Sequence, residues 1–269
     1  MPATKLSRRI KDSILRNYYT FRIETAQEPN RLILRAKPYQ VLLILSHMRS
    51  GSSLLTHILT SHNQIAGYGE THLNYSAESD FKALLYKVYW AVRGFRMDHT
   101  YILDKILHNQ KLQDNQILHA SYIKIIFLIR QPTATIASLL KLKPHWDESA
   151  AVHYYCDRLA TLETYAKRIN DQQKCMCLTY KELLEQTPQT LAAMQRFLEL
   201  AEPLSEEYQL NRRTGMRGIG DSSDRIKAGR IIRTSQASET RLTEQLAGLS
   251  TTAFEHCKQT LLQHCQTRS

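Results

Sequence analysis

The stretch LLILSHMRSGSSLLTHIL, Leu42 to Leu59, decides the fold. A short, unbroken apolar run (Val41–Leu45) is followed by a polar turn and then by apolar residues at helical spacing. An apolar run of this length suits a strand buried on both faces of a parallel sheet. The helix then begins at Ser52 and runs to Ser61, so Ser46–Ser53 forms the loop at the strand's carboxyl end. In parallel sheets that edge is where ligands bind. The free N–H groups and dipole of the helix N-terminus favour an anion there. Gly51 lets the backbone approach a ligand closely, Ser50, Ser52 and Ser53 add hydroxyls, and Arg49 adds a fixed charge with a planar donor fork.

The loop departs from the triphosphate-binding pattern G-x-x-x-x-G-K-[S/T]. Ser46 stands at the first glycine and Ser52 at the lysine, while Gly51 and Ser53 fit. That lysine reaches the β- and γ-phosphates of a triphosphate. Its absence points to a terminal group with less charge to neutralise.

A second stretch repeats the layout. In YIKIIFLIRQPTATIASLL a buried strand ends in Arg130, Pro132 opens a helix, and Ser138 follows two turns in. Arg130 therefore faces the same sheet edge as the first loop, and the two loops together predict a ligand with two anionic groups.

Elsewhere the chain alternates strands and helices, which predicts an α/β fold: a single P-loop-like three-layer domain with a central parallel sheet flanked by helices. Its 269 residues, 42% hydrophobic and 23% charged, suit one large domain. The expected divisions are a basic N-terminal segment (1–39), a core (41–235) and a C-terminal helix (236–269). Helices are expected around Leu6–Tyr19, Phe81–Phe95, Thr133–Leu142, Trp146–Asn170, Lys181–Gln186, Thr190–Leu200 and Glu239–Gln266. CMCLTY reads as a third strand. Tyr101–Asn109 reads as a short helix or turn, and AGYGETHLNYS as a glycine-punctuated loop.

The net charge of +11 is concentrated near the start, at Lys5, Arg8, Arg9, Lys11 and Arg16, and again between Arg212 and Arg233. It predicts an anionic partner. The apolar runs are too short to span a bilayer, and the N-terminus has no apolar core or cleavage site, so no membrane anchor or signal peptide is expected. Five cysteines without a secretion signal read as reduced thiols in a cytoplasm. Cys175 and Cys177 read as small buried hydrophobes. His256, Cys257, His264 and Cys265 have metal-ligand types but lack the short spacings of a tetrahedral site, and no metal is expected.

The paired motifs resemble the sulfotransferases that use 3′-phosphoadenosine 5′-phosphosulfate. In that family a strand–loop–helix of the form R-S-G-[S/T]-[S/T] holds the 5′-phosphosulfate, and RSGSS (Arg49–Ser53) is similar to it. The family's second motif, R-D-P-R-A-x-x-x-S, places its Arg and Ser on the 3′-phosphate. RQPTATIAS matches at Arg130, Pro132, Ala134 and Ser138 and departs at Gln131 and Thr133. HNQIAGYGETH looks like the tyrosylprotein sulfotransferase segment whose glutamate is the base, with Glu70 at that position. LDK around Lys105 resembles the region whose lysine lies near the transferred group. The stretch from Leu178 to Leu200 is similar to the family's Tyr-Glu-x-Leu strand end, with Tyr180 near the adenosine. GDSSDRIKAG resembles the late loop over the cofactor.

The resemblance implies a sulfotransferase fold and transfer of a sulfuryl group from 3′-phosphoadenosine 5′-phosphosulfate to a hydroxyl acceptor, leaving 3′,5′-adenosine bisphosphate. The implied cofactor-binding residues are Arg49, Ser50, Gly51, Ser52, Ser53, Leu54, Arg130, Ser138, Tyr180 and Lys227. Glu70 is the implied base, with His72 and then His47 as alternates. Arg49 would stabilise the leaving phosphate and Lys105 the sulfuryl oxygens. The acceptor stays open among carbohydrate, lipid headgroup, small metabolite and tyrosine, with Tyr68–Asp104 and Pro144–Tyr155 expected to shape its site. The missing anchor points away from a Golgi-type enzyme and toward a bacterial one. A nucleotide kinase would need the absent lysine. A nucleic-acid or polyanion binder would account for the charge but not for the two strand-end motifs, so no nucleic-acid partner is expected.

Overall fold

The computed structural model describes residues 2–210, 223–233 and 242–267, apart from the side chains of residues 2–8 and 115. Five parallel strands form one sheet: β1 (Gln40–Ser46), β2 (Ile65–Ala66), β3 (Tyr101–Ile106), β4 (Ile123–Ile129) and β5 (Cys175–Thr179). Their spatial order is β2-β3-β1-β4-β5. The strand carrying the first loop is therefore central, flanked by β3 and β4. Ser46 lies level with Leu128, and Ile44 with Lys105.

The twofold alternation of side chains divides β1 between two cores. Val41, Leu43 and Leu45 pack with Ile125 and Phe127 against α1 (Pro2–Glu24), α3 (Asp80–Val92), α5 (Glu148–Ile169) and α9 (Glu244–His264). Leu42 and Ile44 pack with Ile126 and Leu128 against α2 (Ser52–Thr60), α6 (Tyr180–Glu185) and α7 (Thr187–Phe197). These two helical layers enclose the sheet, as expected. No helix among the described residues is long and apolar enough to cross a membrane.

The helices end where their chemistry says they should. Pro132 opens α4 (Pro132–Leu142), a position where its missing N–H costs nothing. Asp147 caps α5 by accepting from Ala150 N at 2.7 Å. Thr179 and Glu182 form a reciprocal capping box that turns β5 into α6.

One expectation fails. Tyr101–Ile106 is a strand, not a helix or turn, and it neighbours β1. Asp104 and Lys105 interrupt its apolar run, yet they are 1% and 2% exposed. Asp104 holds Thr71 and Tyr75, and Lys105 Nζ lies 3.4 Å from Ser53 Oγ. The basic segment from Arg212 lies partly outside the described residues (Arg212, Arg213 and Arg217), and Asp224–Lys227 forms a short helix, α8.

Among the described residues no metal-holding group of His, Cys, Asp and Glu occurs. His256 Nδ1 lies 2.7 Å from Glu163, and His264 Nδ1 lies 2.7 Å from Asn170 Oδ1. Cys257 and Cys265 are buried in the core.

Candidate active site

A cavity of about 510 Å³ opens beyond the carboxyl ends of β1, β3 and β4. Its floor is the loop after β1. Arg49 (φ 64°) and Gly51 (φ 95°) both adopt left-handed backbone, a geometry that aims successive N–H groups at an anion. Gly51 occupies the cap position of α2 and has no side chain with which to cap it, and the first N–H of the helix, that of Ser52, donates to Ser50 Oγ at 3.3 Å. A Cβ at Gly51 would lie 2.2 Å from Tyr180 Cδ2. Glycine is therefore required here twice, for its φ and for the close approach of the Tyr180 ring.

The two strand-end loops are bonded to one another. Arg49 Nε donates to Ser138 Oγ at 2.7 Å, and Arg130 Nη1 donates to the Arg49 carbonyl at 3.0 Å. The Arg130 guanidinium stacks 4.5 Å from the centre of the Tyr180 ring. Tyr180 thus forms a wall between Gly51 and Arg130.

The opposite wall carries Glu70. Its Oε1 is buried and accepts no hydrogen bond, and the nearest nitrogens are His72 Nδ1 at 3.4 Å and His108 Nε2 at 3.8 Å. Burial raises the Glu70 pKa, while Lys105 and His72 pull it down. Burial lowers the pKa of His108. Lys105 Nζ lies 3.4 Å from Ser53 Oγ, between Glu70 and the loop floor.

Asp104 anchors the Glu70 loop. Its carboxylate accepts from Thr71 N (2.9 Å), Thr71 Oγ1 (2.6 Å), Tyr75 Oη (2.6 Å) and Lys105 N (2.8 Å). Burial still raises its pKa against those bonds. A second buried charge, Arg158, is 1% exposed. It donates to the carbonyls of Ser46 and Ile106 and to Asn109 Oδ1, each at 2.8 Å, tying the end of β1 to the end of β3.

Of the residues singled out in the sequence, Arg49, Gly51, Ser52, Ser53, Leu54, Glu70, His72, Lys105, Arg130, Ser138 and Tyr180 line this one cavity. Ser50 does not. It is buried under the loop, where its Oγ lies 2.6 Å from Ser46 Oγ and accepts from Ser52 N. Lys227 does not line the cavity either and pairs with Asp224 at 3.0 Å. His47 is fully used inside the protein. Its Nδ1 donates to the Met48 carbonyl at 2.9 Å, and its Nε2 accepts from Arg130 N at 3.0 Å. Burial pushes its pKa down to about 4, so it is a neutral spacer between the loops and has no nitrogen left for a substrate proton.

Sequence reading missed His108, Lys141 and Lys143, which also line the cavity, as do Arg225 and Arg230 from the C-terminal basic cluster, which it had not assigned to the site. His108 follows the misread strand, and the lysines look like ordinary helix-end charges. Seven lining residues are cationic, and among the described residues Glu70 is the single lining carboxylate. Such a surface attracts a multiply charged anion.

The sulfotransferase domain family matches residues 40–219, more than half of the chain. Among solved structures, the sulfotransferase domain from the curacin biosynthetic pathway aligns with a TM-score of 0.56 at 18% identity, covering 81% of this chain and 98% of that one. This likeness shows a common fold. Mouse sulfotransferase SULT7A1 complexed with PAP aligns with a TM-score of 0.44 at 14% identity, covering 62% of this chain and 60% of that one. No curated protein matches by sequence. The match across β1 to β5 and both strand-end loops places the chain in the sulfotransferase domain family.

Proposed function

We propose that this enzyme moves a sulfuryl group from 3′-phosphoadenosine 5′-phosphosulfate to a hydroxyl acceptor, and that Glu70 is the base. The observation that carries the reading is the joining of the two strand-end loops at one cavity, through Arg49, Ser138 and Arg130, with Glu70 on the facing wall.

The donor set fits a nucleotide with two anionic ends. The N-terminus of α2 and its glycine, held open against Tyr180, form a cradle that a Cβ would fill. Arg130 and Ser138 form a second donor pair beside it. When bound, the nucleotide supplies a sulfuryl group already attached to a good leaving phosphate.

The chain's own residues divide the remaining work. Ser53 and Leu54, in the first turn of α2, hold the 5′-phosphate by backbone N–H groups, and Ser52, whose own N–H goes to Ser50 Oγ, offers its hydroxyl. Arg130 and Ser138 hold the 3′-phosphate, and Arg49 touches both regions because its guanidinium is fixed to Ser138. Charge that develops on the leaving phosphate meets donors already in place, so little reorganisation is needed. Lys105 sits between the cradle and Glu70, where the sulfuryl oxygens would lie.

Glu70 Oε1 has room to accept the acceptor's proton, since no hydrogen bond occupies it. Its raised pKa makes it a stronger base than an exposed glutamate. His72, half exposed and 3.4 Å away, gives that proton a path to solvent. All five cysteines are free thiols, which suits a reducing cytoplasm.

Calorimetric titration with 3′,5′-adenosine bisphosphate, without added metal, tests the reading. Wild type binds, and Arg49→Ala and Arg130→Ala each weaken binding at least tenfold. A wild type that ignores the bisphosphate sinks the proposal.

A further inference from the structure

We infer that the acceptor carries negative charge of its own, held by Lys141 and Lys143 on the wall of the cavity. The inference rests on the sulfuryl-transfer reading above and names the acceptor class that reading leaves open.

The charge balance is the first argument. The cavity lining carries Arg49, Lys105 and Arg130, and beyond them Lys141, Lys143, Arg225 and Arg230, against Glu70. The lining is thus six positive charges in excess. A phosphate monoester carries up to about two negative charges near neutral pH, and a phosphosulfate is similar, so the donor brings about four. About two positive charges remain for something else.

Position is the second argument. Ser138 is the α4 residue that engages Arg49. Lys141 lies about one helical turn beyond it, and Lys143 is the residue on which α4 ends. A run of side chains leads from Lys143 back to the base. Lys143 Nζ lies 6.0 Å from the centre of the Trp146 ring, Trp146 is 5.5 Å from Tyr154, and Tyr154 is 6.4 Å from His108. His108 in turn is 3.8 Å from Glu70. Lys143 is also among the charges that disfavour a protonated His108. Both lysines line the same cavity as Glu70, and Lys143 is joined to it by this run of side chains.

Their lack of a carboxylate partner is the third argument. Among the described residues no salt bridge joins Lys141 or Lys143 to a carboxylate, and the neighbouring Asp147 is committed to capping α5. Ammonium groups without a carboxylate beside a cationic pocket add to its positive potential, which an anionic ligand lowers. The exposed Leu142 between them and the buried Leu107 add apolar surface. The lining fits a hydroxyl compound that also bears a carboxylate, sulfate or phosphate, such as an acidic sugar or an aromatic hydroxy acid.

The test uses radiolabelled inorganic sulfate as a probe, titrated by equilibrium dialysis into protein saturated with adenosine bisphosphate. Wild type should bind one sulfate more than Lys141→Gln/Lys143→Gln, or bind it at least tenfold more tightly, with bisphosphate affinity equal within threefold. Equal sulfate binding by both proteins overturns the inference. So does a tenfold loss of bisphosphate affinity in the variant, because the lysines would then serve the donor. Failure of wild type to bind bisphosphate defeats the parent reading and this inference with it. Matched acceptors give a second readout: glucuronate against glucose, and 4-hydroxybenzoate against 4-hydroxybenzyl alcohol. The charged member should show at least tenfold higher kcat/KM in wild type and lose that advantage in the variant. A neutral member used equally well overturns the inference, and where neither pair is turned over the sulfate titration decides.

Discussion

Arg49 and Ser138, 89 residues apart in the chain, meet through a 2.7 Å hydrogen bond from Nε to Oγ. This bond joins the two strand-end loops at one cavity. The serine hydroxyl accepts from arginine, which leaves its own proton to donate to a bound phosphate. A hydrogen bond to a charged group contributes about 1.5–3 kcal/mol. Ser138→Ala should therefore raise the Kd for adenosine bisphosphate by about tenfold to a hundredfold. A double-mutant cycle with Arg49→Ala should give less than the sum of the single losses, since each change disables the same contact. Strictly additive calorimetric losses would show that the contact does not serve binding.

Glu70 should separate chemistry from binding. Glu70→Gln keeps the shape and removes the base, so kcat should fall by about a hundredfold to ten-thousandfold while bisphosphate affinity holds. The pH profile carries a sign. Burial raises the Glu70 pKa, and only the ionised form accepts a proton, so kcat rises as pH climbs through that raised value and levels off above it. The acid limb should lie above the ordinary glutamate range and disappear in Glu70→Gln. A limb that persists in the variant would assign it to another group.

Much of this was legible in the sequence, because the cradle is local. Loop, glycine and helix start are contiguous from Ser46 to Leu54, and Val41–Leu45 and Ile125–Ile129 announce their strands by unbroken apolar runs. Helix α5 shows through its periodicity. β3 did not show, since Asp104 and Lys105 break the apolar pattern for the sake of the site. β2, at two residues, is too short to leave a pattern. His108 draws its meaning from Glu70, across a loop and a helix, and Arg158 looks like any polar position of an amphipathic helix until its three acceptors are in view. Contacts between distant segments are set by packing and leave no local signature.

The Gly51–Tyr180 contact makes a sharper test of the cradle. Gly51→Ala puts a Cβ 2.2 Å from the Tyr180 ring at a φ of 95°. The ring must swing away, and it takes the Arg130 stacking surface with it. Bisphosphate binding should fall at least tenfold. Tyr180→Ser removes the clash and the Arg130 stacking surface together, so it should weaken bisphosphate binding by itself, and adding Gly51→Ala to it should cost only the left-handed backbone, about 1–2 kcal/mol. A much larger further loss would show that the clash with the ring is not what Gly51 avoids.

His47 links the same loops to acid stability. It is fully buried, neutral, and bonded to Met48 O and Arg130 N. Burial pushes its folded-state pKa down to about 4, below the roughly 6.5 expected of an unfolded histidine. A depressed pKa contributes stability that is fully present above the unfolded value and is lost as pH falls toward the folded one. Each pH unit in that window is worth about 1.4 kcal/mol, so wild type should lose about 2 kcal/mol from this residue between pH 7.5 and 5. Glu70 and Asp104, whose pKa values are raised, act in the opposite direction, so the residue's own share is read as a difference between proteins. His47→Asn should be less stable than wild type at pH 7.5, because the bridge from Met48 to Arg130 is shortened. Its urea midpoint should then fall less steeply with acid than the wild-type midpoint. Parallel pH dependences in the two proteins would mean that His47 protonates without opening the joint between the loops.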